Sequence, residues 1–167
     1  HLHKLIPIGS GLGGGSSDAS FVLKGLNQIF NLKLSNSELE KISKDIGADC
    51  PFFIENKTKY VTGIGDKMKK INLDLSNYKI KLTHSNINIS TANAFSNIKA
   101  HKQNIVTENL SELKIESWKN EVKNDFENNV FEIYPQLKIE KEKFYSEGAI
   151  YSSMTGTGST IYGIFKK

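Results

Sequence analysis

The feature that most constrains this chain is a glycine-rich run set between an extended segment and a helix. Residues 2–6 alternate as a strand would and lead into Pro7-Ile8-Gly9-Ser10-Gly11-Leu12-Gly13-Gly14-Gly15-Ser16-Ser17-Asp18. Directly afterwards Ala19, Val22, Leu23, Leu26, Ile29 and Phe30 recur at helical spacing. Ser16, Ser17 and Asp18 are residue types that cap a helix N-terminus, so the loop is expected to feed straight into a helix. Glycine density of this kind lets a backbone approach a ligand closely. At the start of a helix, the free N–H groups and the helix dipole then favour an anion. Gly15 is followed by Ser16 and not by lysine, which excludes a Walker loop. Gly9, Gly11 and Gly14 satisfy Gly-x-Gly-x-x-Gly, but the strand ending in an acidic residue that a Rossmann unit needs is replaced by Asn31-Leu32-Lys33-Leu34. On the residues alone, a dinucleotide-dependent oxidoreductase stays open as the alternative.

Composition sharpens this reading. All 22 basic residues are lysine, so any phosphate must be held by backbone N–H groups and lysine rather than by a guanidinium fork. The net charge is +4, yet the lysines are interleaved with Glu, Asp and Asn, and the cluster Lys67–Lys70 lacks stacking aromatics. No nucleic-acid partner is expected. At 167 residues the chain suffices for one domain or parts of two, and its 38% hydrophobic and 24% charged residues fit a folded soluble protein. No apolar run reaches the roughly 18 to 20 residues of a membrane helix. The single Cys50 cannot form an internal disulfide, so a cytoplasmic setting is expected. The opening His1-Leu2-His3-Lys4-Leu5-Ile6 has no signal-peptide character and reads as a strand already in progress, with the true N-terminus expected upstream.

Further along, Ser35 and Glu38 have capping-box spacing before Leu39, Ile42 and Ile46, and Gly47 is a natural terminator. A strand is expected at Lys59–Thr62, then a Gly63-Ile64-Gly65-Asp66 turn and a polar connection over 67–77. Tyr78–Leu82 alternates as a strand. Trp118, Val122, Phe126 and Val130 repeat every four residues, which predicts one helix stopped by Pro135. A charged helix follows over Leu137–Ser146, then strands at Ala149–Met154 and Thr160–Phe165. Helices and strands alternate, so the class is mixed α and β. His84 and His101 have no metal-ligand partners at useful spacing. Asp49, in Gly47-Ala48-Asp49-Cys50-Pro51-Phe52-Phe53, could accept a hydroxyl proton in phosphoryl transfer, or could cap a short helix starting near Pro51.

The stretch Ile6–Ala19 resembles the phosphate-binding signature of the GHMP kinases, and the glycine triplet before Ser-Ser-Asp-Ala is similar to the branch that acts on a cytidine-diphosphate-linked methylerythritol. Gly47–Phe53, Asn124-Asp125-Phe126-Glu127 and Met154-Thr155-Gly156-Thr157-Gly158-Ser159 resemble later motifs in the same order, so the likeness spans the chain. It implies an α+β fold of two domains, with 1–75 the later part of an ATP-binding N-terminal domain and 76–167 most of a C-terminal domain. It implies that Pro7, Ile8, Gly9, Ser10, Gly11, Leu12, Gly13, Gly14, Gly15, Ser16 and Ser17 cradle ATP, with Mg2+ offsetting charge and Asp49 as general base. The implied reaction phosphorylates the 2-hydroxyl of that small-molecule substrate in non-mevalonate isoprenoid biosynthesis; another small-molecule substrate of the same superfamily is the alternative. Ser90-Thr91-Ala92-Asn93-Ala94-Phe95 resembles the cytidine-facing segment, with Thr91 offering a hydroxyl and Phe95 a ring, although Phe95 also suits a helix core. Gly156, Thr157 and Gly158 would close over substrate phosphates, or form only a hairpin turn. Lys4 is more simply a solvated strand lysine. Lys70-Ile71-Asn72-Leu73 imitates a Lys-x-Asn motif that the family carries before its phosphate loop, so Lys70 is assigned no catalytic role. Metal ligands and oligomeric state stay open. The family usually extends beyond the last hairpin, and the 167 residues alone are expected to be inactive.

Overall fold

A computed structural model of the chain describes residues 1–65, 67–85, 87–90, 94–95 and 110–167. The contacts divide it into two compact units, one of Gly13–Leu73 and one of His1–Leu12 with Asp74–Lys167.

In the unit Gly13–Leu73, helix α1 spans Gly14–Ile29, α2 Asn36–Lys44 and α3 Cys50–Glu55, followed by strands β1 (Lys59–Thr62) and β2 (Lys67–Lys70). The start of α1 differs from expectation. Its cap is Gly13, at φ 67 and without a side-chain bond, so Ser16, Ser17 and Asp18 lie inside the first turns. Glycine reaches the left-handed region without steric cost, which lets the helix begin three residues early. The capping box of α2 forms as its spacing predicts, with Glu38 N donating to Ser35 Oγ at 3.3 Å and Ser35 N to Glu38 Oε2 at 2.8 Å. The apolar stripe of α1 is largely exposed among the described residues. Val22 is 57% and Ile29 76% exposed, and its one buried residue is Ser20. Leu39, Cys50 and Ile54 are buried where α2 and α3 pack.

Residues 67–70 form a strand where a connection is expected. The turn at Gly63 (φ 70) and Gly65 (φ 103) folds them back on β1, pairing Thr62 with Lys67 and Lys59 with Lys70. Lysine-rich composition masked this strand, because its stability comes from pairing and from Glu55. That carboxylate accepts from Lys59 Nζ at 3.0 Å and Lys70 Nζ at 2.9 Å. These two ammonium groups pull the Glu55 pKa from its ordinary 4.5 down to about 2. Lys70 is thus committed to an ion pair.

The other unit is built on an antiparallel sheet of β3 (Tyr78–Thr83), β4 (Tyr151–Met154) and β5 (Ile161–Lys166), in the order β3-β5-β4. Thr83 pairs with Ile161 and Met154 with the same residue on the other side, so β5 is central. Four consecutive buried residues make β4 a two-sided core strand. Helix α6 (Pro135–Ser146) begins with its proline in the first turn and buries Leu137 and Phe144. Phe144 fits because Gly163 faces it; a Cβ there would lie 2.9 Å from Phe144 Cγ and from Phe165 Cε2. Val130, Leu137, Phe144, Met154, Ile161 and Phe165 form the centre of the core.

Two expectations fail here. Residues 2–6 form no strand, because an extended segment needs a partner edge and finds none among the described residues; Leu2, Leu5 and Ile8 are exposed. The helix expected from Trp118 to Val130 is broken into α4 (Trp118–Glu121), preceded by a 3-10 turn at Ile115–Ser117, and α5 (Glu127–Ile133). Asn124 causes the break. Its Oδ1 accepts from Phe126 N at 2.9 Å, giving the backbone a local alternative to the helical bond.

Candidate active site

The expected phosphate loop runs through both units, with Pro7–Leu12 in one and Gly13–Ser17 in the other. Pro7, Ile8 and Gly9 are exposed, Ser10 is buried, and Gly11 and Leu12 are half-buried. Gly9 (φ 74) and Gly11 (φ 75) are left-handed. At Gly11 the requirement is also steric. A Cβ would collide with the Thr155 carbonyl and lie 2.8 Å from the Gly158 oxygen, so two backbones meet with no side chain between them. Hydrogen bonds fix this approach. Thr155 Oγ1 donates to Gly11 O at 3.0 Å, and Thr160 N donates to Ser10 O at 3.1 Å. Two glycine segments 144 residues apart in the chain are therefore one structure.

The later segment is itself well held. Gly158 N donates to Thr155 O at 3.0 Å, and Ser159 Oγ donates to Ile87 O at 2.6 Å. Gly156 is exposed, Thr157 half-buried and Gly158 buried. On its far side, Asn124 Nδ2 donates to Met154 O and to Gly156 O, both at 2.8 Å. Glu127, 7% exposed, accepts from Met154 N at 2.8 Å and Ser153 Oγ at 3.0 Å, and Lys141 reaches its other oxygen at 2.5 Å. Neither Asn124 nor Glu127 carries an individual role in the sequence reading. The signal was present in Asn124-Asp125-Phe126-Glu127, but its partners lie 26 to 32 residues away. His84 Nδ1 lies 3.3 Å from Thr160 Oγ1, within hydrogen-bond distance.

Phe95 is 60% exposed and rests edge-on against Phe126, ring centroids 5.0 Å apart. It is therefore no core residue. Its neighbour Ala94 carries the burial, at 6% exposure. Thr91 and His101 lie outside the described residues. Next to these features, Val122, Asn124, Phe126, Tyr151, Met154 and Gly156 line a groove of about 370 Å³.

In the unit Gly13–Leu73, the remaining loop residues open α1. Gly13 packs against Phe53, where a Cβ would lie 2.9 Å from the ring Cζ. No side chain caps the helix, which leaves its first-turn donors, in Gly14, Gly15 and Ser16, for an incoming anion. Gly15 is exposed, while Gly14, Ser16 and Ser17 are half-buried. Asp49 occupies the cap position of α3, but its side chain makes no capping bond. The carboxylate is exposed and has no hydrogen-bond or ion-pair partner among the described residues. Ser20 ties the two motifs together. Its buried hydroxyl lies 2.8 Å from both Ser16 O and Cys50 O. Periodicity alone placed Ser20 inside an ordinary helix, with no sign of this bridge. Among the described residues no group of three or more His, Cys, Asp or Glu is arranged to hold a metal ion, and no helix is long and apolar enough to cross a membrane.

Curated relatives match along the whole chain. The GHMP kinases N terminal domain matches residues 1–57, and the GHMP kinases C terminal domain matches residues 103–167. A 4-diphosphocytidyl-2-C-methyl-D-erythritol kinase of Azobacteroides pseudotrichonymphae is 48% identical over the whole chain, which covers 63% of that protein. A kinase of the same description from Bacteroides fragilis is 44% identical over 99% of the chain and 60% of its own length. The chain thus spans about three fifths of these curated relatives. Among solved structures, a 4-(cytidine 5'-diphospho)-2C-methyl-D-erythritol kinase superposes with a TM-score of 0.82 at 25% identity, covering 97% of this chain and 59% of that one. Homoserine kinase from Cytophaga hutchinsonii shares the fold, with a TM-score of 0.71 at 16% identity over 98% of this chain and 59% of its own.

Proposed function

The chain belongs to the GHMP kinases, carrying matches to both their N-terminal and C-terminal domains, and from that premise we propose that it serves to transfer the γ-phosphate of ATP to the 2-hydroxyl of 4-diphosphocytidyl-2-C-methyl-D-erythritol. Residues 1–75 would belong to the ATP-binding domain and 76–167 to the C-terminal one, acting on a small molecule in the cytoplasm. The observation that carries the reading is the uncapped start of α1, fed by the glycine loop and tied through Ser20 to the segment bearing Asp49.

The chemistry follows from what these groups can offer. Phosphoryl transfer needs alignment and charge stabilisation more than covalent help. Backbone N–H groups of residues 8–16 and the α1 dipole would supply the charge stabilisation, with the Ser17 N–H already given to Gly13 O and no arginine present. Magnesium would come on the nucleotide, held by phosphate oxygens with the hydroxyls of Ser16 and Ser17 at hand, and would offset phosphate charge. Asp49, unencumbered by a cap or an ion pair, would accept the proton of the attacking hydroxyl. Thr91, Phe95 and Gly156–Gly158 would contact the cytidine and the diphosphate. An exposed ring such as Phe95 can stack a base for about 1–3 kcal/mol.

Turnover of the cytidylyl alcohol by the intact protein, measured against a panel of other small alcohols with ATP and magnesium, tests the substrate. D49N should lower kcat by about 10²–10⁴-fold while nucleotide binding persists. Unchanged turnover would remove Asp49 from its role, and turnover of another alcohol in preference would overturn the substrate.

A further inference from the structure

The residue that does most to shape the later glycine loop is Asn124. All three polar groups of its carboxamide are used. Both Nδ2 protons go to carbonyls two residues apart, Met154 O and Gly156 O at 2.8 Å each, and Oδ1 takes the Phe126 N–H at 2.9 Å. Two acceptors on one side and one donor on the other also fix the amide orientation. Between those carbonyls sits Thr155, whose hydroxyl reaches the opposite way to Gly11 O at 3.0 Å. The peptide Met154–Gly156 is therefore gripped from both sides. The same short turn also supports Phe95, because Phe126 is the ring against which Phe95 rests.

We propose that Asn124 is a positioning residue for the substrate side of the site. Its amide holds Gly156–Gly158 in the conformation that meets the diphosphate of the substrate, and its turn sets Phe126 behind Phe95. The proposal rests on the reading of those residues as substrate-binding. Asn124 touches neither reacting atom, so its effect should fall on binding of the alcohol and not on the chemical step. The surrounding strands draw their stability from the core, which Asn124 does not enter.

The informative variant is N124D. Aspartate keeps an acceptor for the Phe126 N–H and so keeps the turn, but sets a carboxylate oxygen against two carbonyls. In the intact protein, amide exchange at Thr155 and Gly158 should rise at least about tenfold while Ile161–Phe165 stays protected. KM for the cytidylyl alcohol should rise about tenfold with kcat within about threefold. N124S, which also retains an acceptor and loses both donors, should reproduce the pattern and serves if N124D does not fold. Exchange at Thr155 and Gly158 equal to wild type in both variants would overturn the proposal. So would exchange rising equally across β4 and β5, or a fall in kcat at unchanged KM, since each marks an ordinary stabilising or chemical role. If the wild-type protein does not turn over the alcohol, the kinase reading fails, and the exchange measurement, which uses no ligand, still decides the role of Asn124.

Discussion

Asp49 and Glu127 stand at similar places, one at the cap position and one at the first residue of a short helix. Their surroundings are opposite. Glu127 is 7% exposed and has every oxygen engaged, by Met154 N, Ser153 Oγ and Lys141 Nζ. Asp49 is exposed, its side chain bonded to no described group. A carboxylate whose oxygens are all engaged is fixed in place by its network. The difference teaches that local sequence context does not separate a paired carboxylate from an open one; the partners arriving from elsewhere in the chain do.

The comparison can be broken by experiment. The largest effect is expected from E127A, which should cost about 3 kcal/mol in urea unfolding because it strands Lys141 and two buried donors. D49A should change the same quantity by less than about 0.5 kcal/mol. Equal losses would erase the distinction. A smaller effect is expected at the hydroxyl joining the two motifs. S20A should cost about 1 kcal/mol and lower kcat several-fold, because the Cys50 carbonyl loses its tie to α1 and Asp49 moves with it. An S20A protein with wild-type kcat would uncouple Ser20 from the site. The smallest effect concerns a third carboxylate, Glu55, which is paired like Glu127 yet sits at a surface like Asp49. Its folded pKa of about 2 lies below its ordinary 4.5. Its contribution is therefore present above about pH 4.5 and is lost as pH falls from there toward 2. E55Q should flatten that part of the stability–pH profile, and a profile identical to wild type would show that the lysine pairs add nothing.

Several elements were readable because their determinants are local. The capping box Ser35–Glu38, the strand Lys59–Thr62 and the turn glycines needed only neighbouring residues, and they stand where the spacing puts them. The strand at Lys67–Lys70 was not readable, because composition pointed to solvent while pairing with β1 and two ion pairs to Glu55 decided otherwise. The repeat from Trp118 to Val130 gave the right buried ends, but a side chain competing for the backbone at Asn124 divided the helix. The stripe of α1 predicted an apolar face, and among the described residues that face is largely exposed. Periodicity tells which residues share a side, never what covers it.

By itself, then, the sequence determined the glycine loop, because glycine density and the helix after it are encoded in consecutive residues. With no arginine available, it also determined that any phosphate would fall to backbone N–H groups and lysine. Only the tertiary structure decided that Gly11 packs on Thr155 and Gly158, that Asn124 grips Met154 and Gly156, and that Ser20 joins α1 to α3. Each of these is a backbone carbonyl meeting a donor or a close neighbour from at least 30 residues away. Carbonyls are identical at every position of a chain, so no pattern of side chains announces which of them will be used.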